Sequence, residues 1–355
     1  MPKRCCSECF GDRGLTKIIS SKNPTLGTCD FCHSNDVALI DPAALYDLFN
    51  MVVSIYEKNP SGKLLVNWLK DDWFLFSHPT MDIPHTKDLL SEILDNGEIV
   101  RQNFSPSPTY ISDGLIRWKT LRDELMYKNR YFLDEKLDTD RLKELLSHLP
   151  AEEVPEIWYR ARIMTSDTPY SIKEMGAPPN HLATHGRANP IGIPYLYLGS
   201  MPETSISEVR PHTGDVVCVA EFKIPSLSLI DLRNPRKLVS PFVLVDAREI
   251  GQMRADIPFL EKLGIELTRP VLPRSAAIDY LPTQYFCEFI KKSGYDGVVF
   301  RSSVSEGMNL AIFDPSNAAG GSISLHKIDR VSVEVSPANE PPSTGSQGVL
   351  IPYEP

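Results

Sequence analysis

Cys6-Ser-Glu-Cys9 and Cys29-Asp-Phe-Cys32 are two C-x2-C pairs with nineteen residues between them. Each pair turns so tightly that its two sulfurs face one point, and two such turns supply the four ligands of a tetrahedral ion. The spacing predicts a zinc-binding segment over residues 1–40, with Gly27 supplying backbone freedom ahead of the second turn. All four places are filled by thiolate, so the expected ion is structural; no position is left for water or substrate. Such an ion contributes on the order of 10–16 kcal/mol to the folding of a small unit. Cys5 is a surplus thiol, and Cys5 or His33 is the alternative to one of the four ligands. Cys218 and Cys287 bring the total to seven. An odd count with no secretory leader is not a disulfide framework.

The rest of the chain divides by periodicity. Asp41-Pro42 reads as a helix start, with Asp41 as cap. Leu45, Phe49, Val52, Val53 and Tyr56 follow at helical spacing. Leu115, Trp118, Leu121, Leu125 and Met126 repeat the pattern, and DTDRLKELLSHL is a third amphipathic run, so residues 41–150 read as mostly helical. From about 155 short strand-like runs take over: IPYLYLG, DVVCVAEFKI, SLSLIDL, DGVVFRS, NLAIFD and VSVEVS, with fewer helices between them. The expected class is α+β: a helical N-terminal module with a zinc knuckle, then a mixed domain over 151–335. Residues 336–355 are rich in Pro, Ser and Gly and are expected to be disordered. A net charge of −9 is the wrong sign for a nucleic-acid binder, and no apolar run is long enough for a membrane span. A cytoplasmic location is expected.

The stretch GRANPIGIPYLYLGSMPETSISEVRP, residues 186–211, carries the densest set of chemical groups. Arg187 sits in a turn with Gly186, Asn189, Pro190 and Gly192, where a fixed guanidinium suits a phosphate or carboxylate. An exposed turn arginine is the plainer alternative. Tyr195 and Tyr197 alternate on one strand face and either stack on a flat ring or fill core. Ser200-Met-Pro-Glu203 reads as a capping box that starts a short helix. Glu208 falls at the far end of that helix, where the dipole disfavours a carboxylate. Upstream, Arg160 and Arg162 alternate on one face of WYRARI; downstream, a strand leads to Ser302 and Ser303.

The order Arg, then G-R-A-N-P-x-G-x-P-x-L-Y, then S-x-x-E, then F-R-S-S resembles the RES domain family, named for its Arg, Glu and Ser. The resemblance spans about 155–335 and assigns Arg160 (or Arg162), Glu208 and Ser302 to the three named residues. Residues 41–150 resemble the HEPN-like segment fused to some RES domains. RES domains are similar in fold to ADP-ribosyltransferases, and several are toxins that consume NAD, so the resemblance implies NAD as substrate and an antitoxin or other regulatory protein as partner. On that footing Arg160 and Arg187 clamp the pyrophosphate, with Arg162 in reserve and Asn189 in the binding turn. Tyr195 or Tyr197 stacks on nicotinamide, Ser302 bonds the amide or ribose, and Glu208 faces the positive charge left on the ribose. No G-x-G-x-x-G is present, so NAD is expected as substrate rather than hydride carrier. The implied reaction is hydrolysis or phosphorolysis of the nicotinamide–ribose bond; the alternative is ADP-ribosyl transfer to a protein. A non-catalytic binding module is a further alternative. So is a HEPN ribonuclease using Arg141-x6-His148, a short and common pattern.

Overall fold

The computed structural model describes residues 2–272 and 274–332. The N-terminal half begins with β1 (Cys5–Cys6), α1 (Arg13–Ser21), β2 (Thr25–Gly27) and β3 (Val37–Ile40). It continues through α2 (Tyr46–Val53), β4 (Tyr56–Leu64), α3 (Leu65–Trp73), α4 (Ile83–Leu94), β5 (Asn103–Pro106), α5 (Gly114–Tyr127) and α6 (Thr139–Ser147). Aspartates start several of these helices: Asp12, Asp82 and Asp138 each accept a backbone N–H from the first turn of α1, α4 and α6. Asp41 caps as expected, but the turn it opens is a short 3-10 segment, Pro42–Leu45, that feeds α2.

The expected helix through residue 57 stops at Val53, and the following residues form β4, paired with β5. The block 41–150 is therefore helices interrupted by a two-stranded ribbon, and β1, β3 and β2 add a small sheet before it.

The second half runs β6 (Ile157–Ile163), β7 (Leu196–Gly199), α7 (Pro202–Glu208), β8 (Val216–Lys223), β9 (Leu229–Asp231), α8 (Pro235–Leu238) and α9 (Ala247–Thr268). It closes with α10 (Ala276–Asp279), α11 (Leu281–Lys292), β10 (Gly297–Arg301), β11 (Met308–Ile312) and β12 (Ala319–Lys327). Seven of these strands form one sheet in the order β12-β8-β6-β7-β11-β10-β9. Among the described residues only β10 and β9 pair in parallel. The mixed α+β class stands, and strands appear within five of the six expected runs. The sixth, VSVEVS, lies mostly outside the described residues, as does the tail 336–355; its first two residues are not strand. Helices are nonetheless a substantial part of this half. α9 spans 22 residues and α11 spans 12.

Those two helices join the halves. α9 lies against α2 and α5, and α11 against α5. One buried cluster runs without a break from Cys5 through Leu149 to Phe313. At its centre Phe49 is fully buried, with ring centroids 5.4 Å from Phe10, 6.2 Å from Phe76 and 4.9 Å from Phe242. A polar tie runs beside it. Arg236 donates to both oxygens of Glu261 and to the backbone oxygens of Asp71 and Asp72. Among the described residues no helix is long and apolar enough to cross a membrane.

A continuous core predicts one cooperative unfolding transition. Phe49→Ala is expected to lower the stability of the whole chain by about 3–5 kcal/mol. Denaturant titration followed by both tryptophan fluorescence and far-UV circular dichroism checks this. Two separated transitions, with only one displaced by the substitution, would show two independent units instead.

Candidate active site

The large sheet nearly parts in the middle. β6 and β7 share a single ladder pair, Tyr159 with Gly199, whereas β6 and β8 pair along seven positions. Beside that junction opens a cavity of about 460 Å³. Its walls include Arg160 from β6, Tyr197 from β7, Glu208 from α7, Arg187 from the preceding loop, and Asn309 from β11.

Glu208 is the last residue of α7 and is solvent-accessible. Its Oε1 accepts from Ser302 Oγ at 2.7 Å and from Asn309 Nδ2 at 2.6 Å. Both donors come from residues that are only 9% exposed. The helix is tied to the same region by Thr204 Oγ1, which lies 2.8 Å from Ser305 Oγ. The expected capping box is not formed. α7 begins at Pro202 with Met201 before it and no side-chain cap, because Ser200 Oγ instead accepts from the Met308 backbone N–H at 3.0 Å. Glu203 is simply exposed.

The two arginines of β6 part company. Arg160 lines the cavity; its Nη1 is buried and has no hydrogen-bond partner among the described residues. Burial, and then the charge of Arg162, pull its pKa down to about 10, so it remains a cation at neutral pH. A half-buried cation with one nitrogen unpartnered is costly, and an anionic ligand would relieve that. Arg162 lies two residues on, roughly 7 Å along the strand. There it stacks on Tyr170, with 4.6 Å from guanidinium to ring centroid, and donates to the Glu174 carbonyl. It does not line the cavity.

Arg187 does. Its Nη1 donates to the Arg269 carbonyl at 2.6 Å, and its guanidinium stands 5.5 Å from the Tyr280 ring centroid. Burial lowers its pKa, opposed by attraction to Tyr280 and to Glu208. The turn that carries it is pinned from α11: Thr283 Oγ1 donates to the Arg187 carbonyl and Gln284 Nε2 to that of Gly186. Gly186 is required by close approach, since a Cβ there would lie 2.3 Å from Asn189 Oδ1 and 2.7 Å from the Tyr197 hydroxyl.

Asn189 is a loop organiser rather than a cavity residue. Its Nδ2 donates to the carbonyls of Thr184, Pro190 and Ile193, and its Oδ1 accepts from the Tyr197 hydroxyl. Tyr197 reaches the cavity, but its hydroxyl is spent on this loop, also accepting from the Ala188 and Asn189 backbone N–H groups. Tyr195 is 2% exposed, packed 5.0 Å from Phe313 between ring centroids, and does not line the cavity. Of the expected site residues, Arg160, Arg187, Tyr197 and Glu208 line the cavity, and Ser302 bonds Glu208 at its edge. Asn309, His185 and Tyr280 also belong to this site, and the sequence did not single them out. For Asn309 a signal was present: it is the one polar residue inside the apolar strand MNLAI.

The cysteine cluster forms as expected. Cys6, Cys9, Cys29 and Cys32 are buried, unoxidised, and place all four sulfurs within 4.8 Å of one another. Sulfur separations of 3.4 Å for Cys6–Cys32 and Cys9–Cys29 and 4.0 Å for Cys6–Cys9 bracket the ~3.8 Å that tetrahedral zinc–sulfur bonds require. This group can hold a metal ion, and neither Cys5 nor His33 belongs to it. The Arg141-x6-His148 pair makes no comparable site. The Arg141 guanidinium donates to Asp256 at 2.9 and 3.0 Å and pairs with Glu144. His148 is partly buried, and burial lowers its pKa.

Residues 157–331 match the family model of the RES domain. The chain is also similar to a solved structure described as the crystal structure of the M. tuberculosis MbcT-MbcA toxin-antitoxin complex. That similarity is at 14% identity, covers 52% of this chain and 92% of that one, and has a TM-score of 0.31. No curated protein sequence matches the chain.

If the unpaired Arg160 is a ligand-binding cation, Arg160→Met should remove affinity for a phosphate-bearing ligand without unfolding the protein. Calorimetry with ADP-ribose is expected to show at least a tenfold loss, about 1.4 kcal/mol, in line with one charge-assisted hydrogen bond. Unchanged affinity would assign Arg160 to the fold.

Proposed function

We propose that this chain cleaves the nicotinamide–ribose bond of NAD, with Glu208 as the charge that meets the cation formed on the sugar. The observation that carries this reading is the carboxylate in its setting. Glu208 is held by two neutral donors, at a cavity that also presents the Arg160 and Arg187 guanidiniums, inside the stretch that matches the RES domain. Several RES domains consume NAD, which supports this choice of substrate.

The chemistry assigns each group a task. NAD carries a doubly charged pyrophosphate, and two guanidiniums on the cavity wall suit it through charge-assisted hydrogen bonds. The bond to nicotinamide breaks with its electron pair leaving on the ring nitrogen, so neutral nicotinamide departs and positive charge develops at the anomeric carbon. A fixed carboxylate beside that carbon lowers the barrier, as in glycoside cleavage. The acceptor oxygen then adds to the anomeric carbon; if water supplies it, a proton is released to solvent. Tyr197 and Tyr280 are the rings available beside the nicotinamide, and Tyr195, buried in the core, is replaced in that role by Tyr280.

We further propose that the four-cysteine group holds zinc and that the ion is structural. Four thiolates complete its coordination, so it supplies folding energy and takes no part in the reaction.

Glu208→Gln preserves shape and removes charge. Turnover of NAD is expected to fall on the order of 10²–10³-fold, the usual scale for one preorganised transition-state contact, while ADP-ribose affinity and thermal midpoint stay near wild type. Full NAD consumption by the variant would contradict the mechanism. For the metal, freshly purified protein is expected to contain one zinc per chain, and Cys9→Ser should abolish that content and lower stability. Metal-free protein with wild-type stability would remove zinc from the account.

A further inference from the structure

We propose that Asn309 is a positioning residue: together with Ser302 it saturates Oε1 of Glu208 and so presents Oε2 to the cavity in one orientation. The inference rests on the reading of Glu208 as the reacting carboxylate. Three observations converge on it. First, both short hydrogen bonds to Glu208 end on the same oxygen, 2.6 Å from Asn309 and 2.7 Å from Ser302, and no hydrogen bond reaches Oε2 among the described residues. Second, Asn309 is anchored on both sides of β11, opposite Gly199 of β7 and Phe300 of β10, so its amide is delivered by a rigid element. Third, both donors are neutral. An arginine in the same place would orient the carboxylate and offset its charge; an amide and a hydroxyl orient it and leave the charge whole.

Such a clamp is needed because of where Glu208 sits. It ends α7, where the helix dipole pushes a carboxylate away, and it is solvent-accessible. A free glutamate there would turn out into water. Asn309 can meet a carboxylate only through its Nδ2, since Oδ1 would repel it, so the amide orientation is fixed as well. The backbone of Asn309 belongs to the sheet ladder, and replacing its side chain leaves that ladder intact.

The test uses the full-length protein. Asn309→Ala is expected to lower kcat for NAD about 10–100-fold, the scale of a misplaced reacting group, with KM and ADP-ribose affinity within about threefold of wild type. Asn309→Asp keeps the shape and sets two carboxylates against each other. One shared proton restores the donor, and two negative charges in contact disfavour full ionisation. The pH optimum of N309D is therefore expected to move below that of wild type, which a purely structural role would not produce. A crystal structure of N309A supplies a readout independent of turnover: the Glu208 carboxylate should leave its place or split between conformers. Retained kcat in N309A, loss of kcat and ligand affinity in step, an N309D pH profile superimposable on wild type, or a Glu208 carboxylate unmoved in N309A would each overturn the proposal. If wild-type protein does not consume NAD, the reading of Glu208 as an NAD-cleaving residue fails, and the N309A structure alone decides whether Asn309 positions it.

Discussion

Between β6 and β7 the sheet is joined by one ladder pair, Tyr159 with Gly199, and the geometry of the site follows from that narrow joint. Three strands lie on one side of it and four on the other. Beyond the joint no further ladder pair links β6 to β7, and Arg160, the residue after Tyr159, lines the cavity there. The chain then leaves β7 directly into α7. That turn is possible because residue 199 is glycine: a Cβ there would lie 2.8 Å from the Ser205 backbone nitrogen. α7 can therefore lie close against β7 and bring its last residue to the cavity. Overpacking at such a contact typically costs about 1–3 kcal/mol, and here the helix displaced would be the one that carries Glu208.

The N-terminal half is bonded to α8, the segment after it and α9. Asp12 caps α1 and also accepts from Ser240 Oγ at 2.7 Å, so the helix that follows the first cysteine knuckle is bonded to the segment after α8. Phe10, one residue past Cys9, packs on Phe49, which in turn packs on Phe242. Arg236 in α8 is held from α3 through the Asp71 and Asp72 carbonyls and from α9 through Glu261. A structural ion at the cysteines would thus steady a contact network that reaches α8 and α9, and Arg269, the residue after α9, accepts from Arg187 on the cavity wall.

The sequence disclosed the parts of this design that repeat locally. Paired C-x2-C turns, the Asp41 cap and alternating strands all depend on residues a few positions apart, and they appear where expected. What it hid depends on distant residues. α9 has apolar residues at helical spacing, Ile250, Met253, Ile257, Leu260, Leu263 and Leu267, but Gly251, Pro258 and Gly264 break the pattern to the eye. The capping box at Ser200 failed because Met308, over a hundred residues away in sequence, took the serine hydroxyl. Arg160 and Arg162 are equivalent by alternation; only the local joint between β6 and β7 and the Tyr170 ring separate their roles. Tyr195 and Tyr197 likewise part because one meets Phe313 in the core while the other closes the Gly186–Asn189 turn.

Whether the site breaks the nicotinamide–ribose bond is decided by one measurement. Purified protein is incubated with NAD at neutral pH, with and without inorganic phosphate, and all products are identified by mass spectrometry. Cleavage at this site predicts free nicotinamide in amounts equal to the NAD lost, with the remaining ADP-ribosyl group recovered on water, on phosphate or on protein. Intact NAD after prolonged incubation with a stoichiometric amount of the folded protein would contradict it.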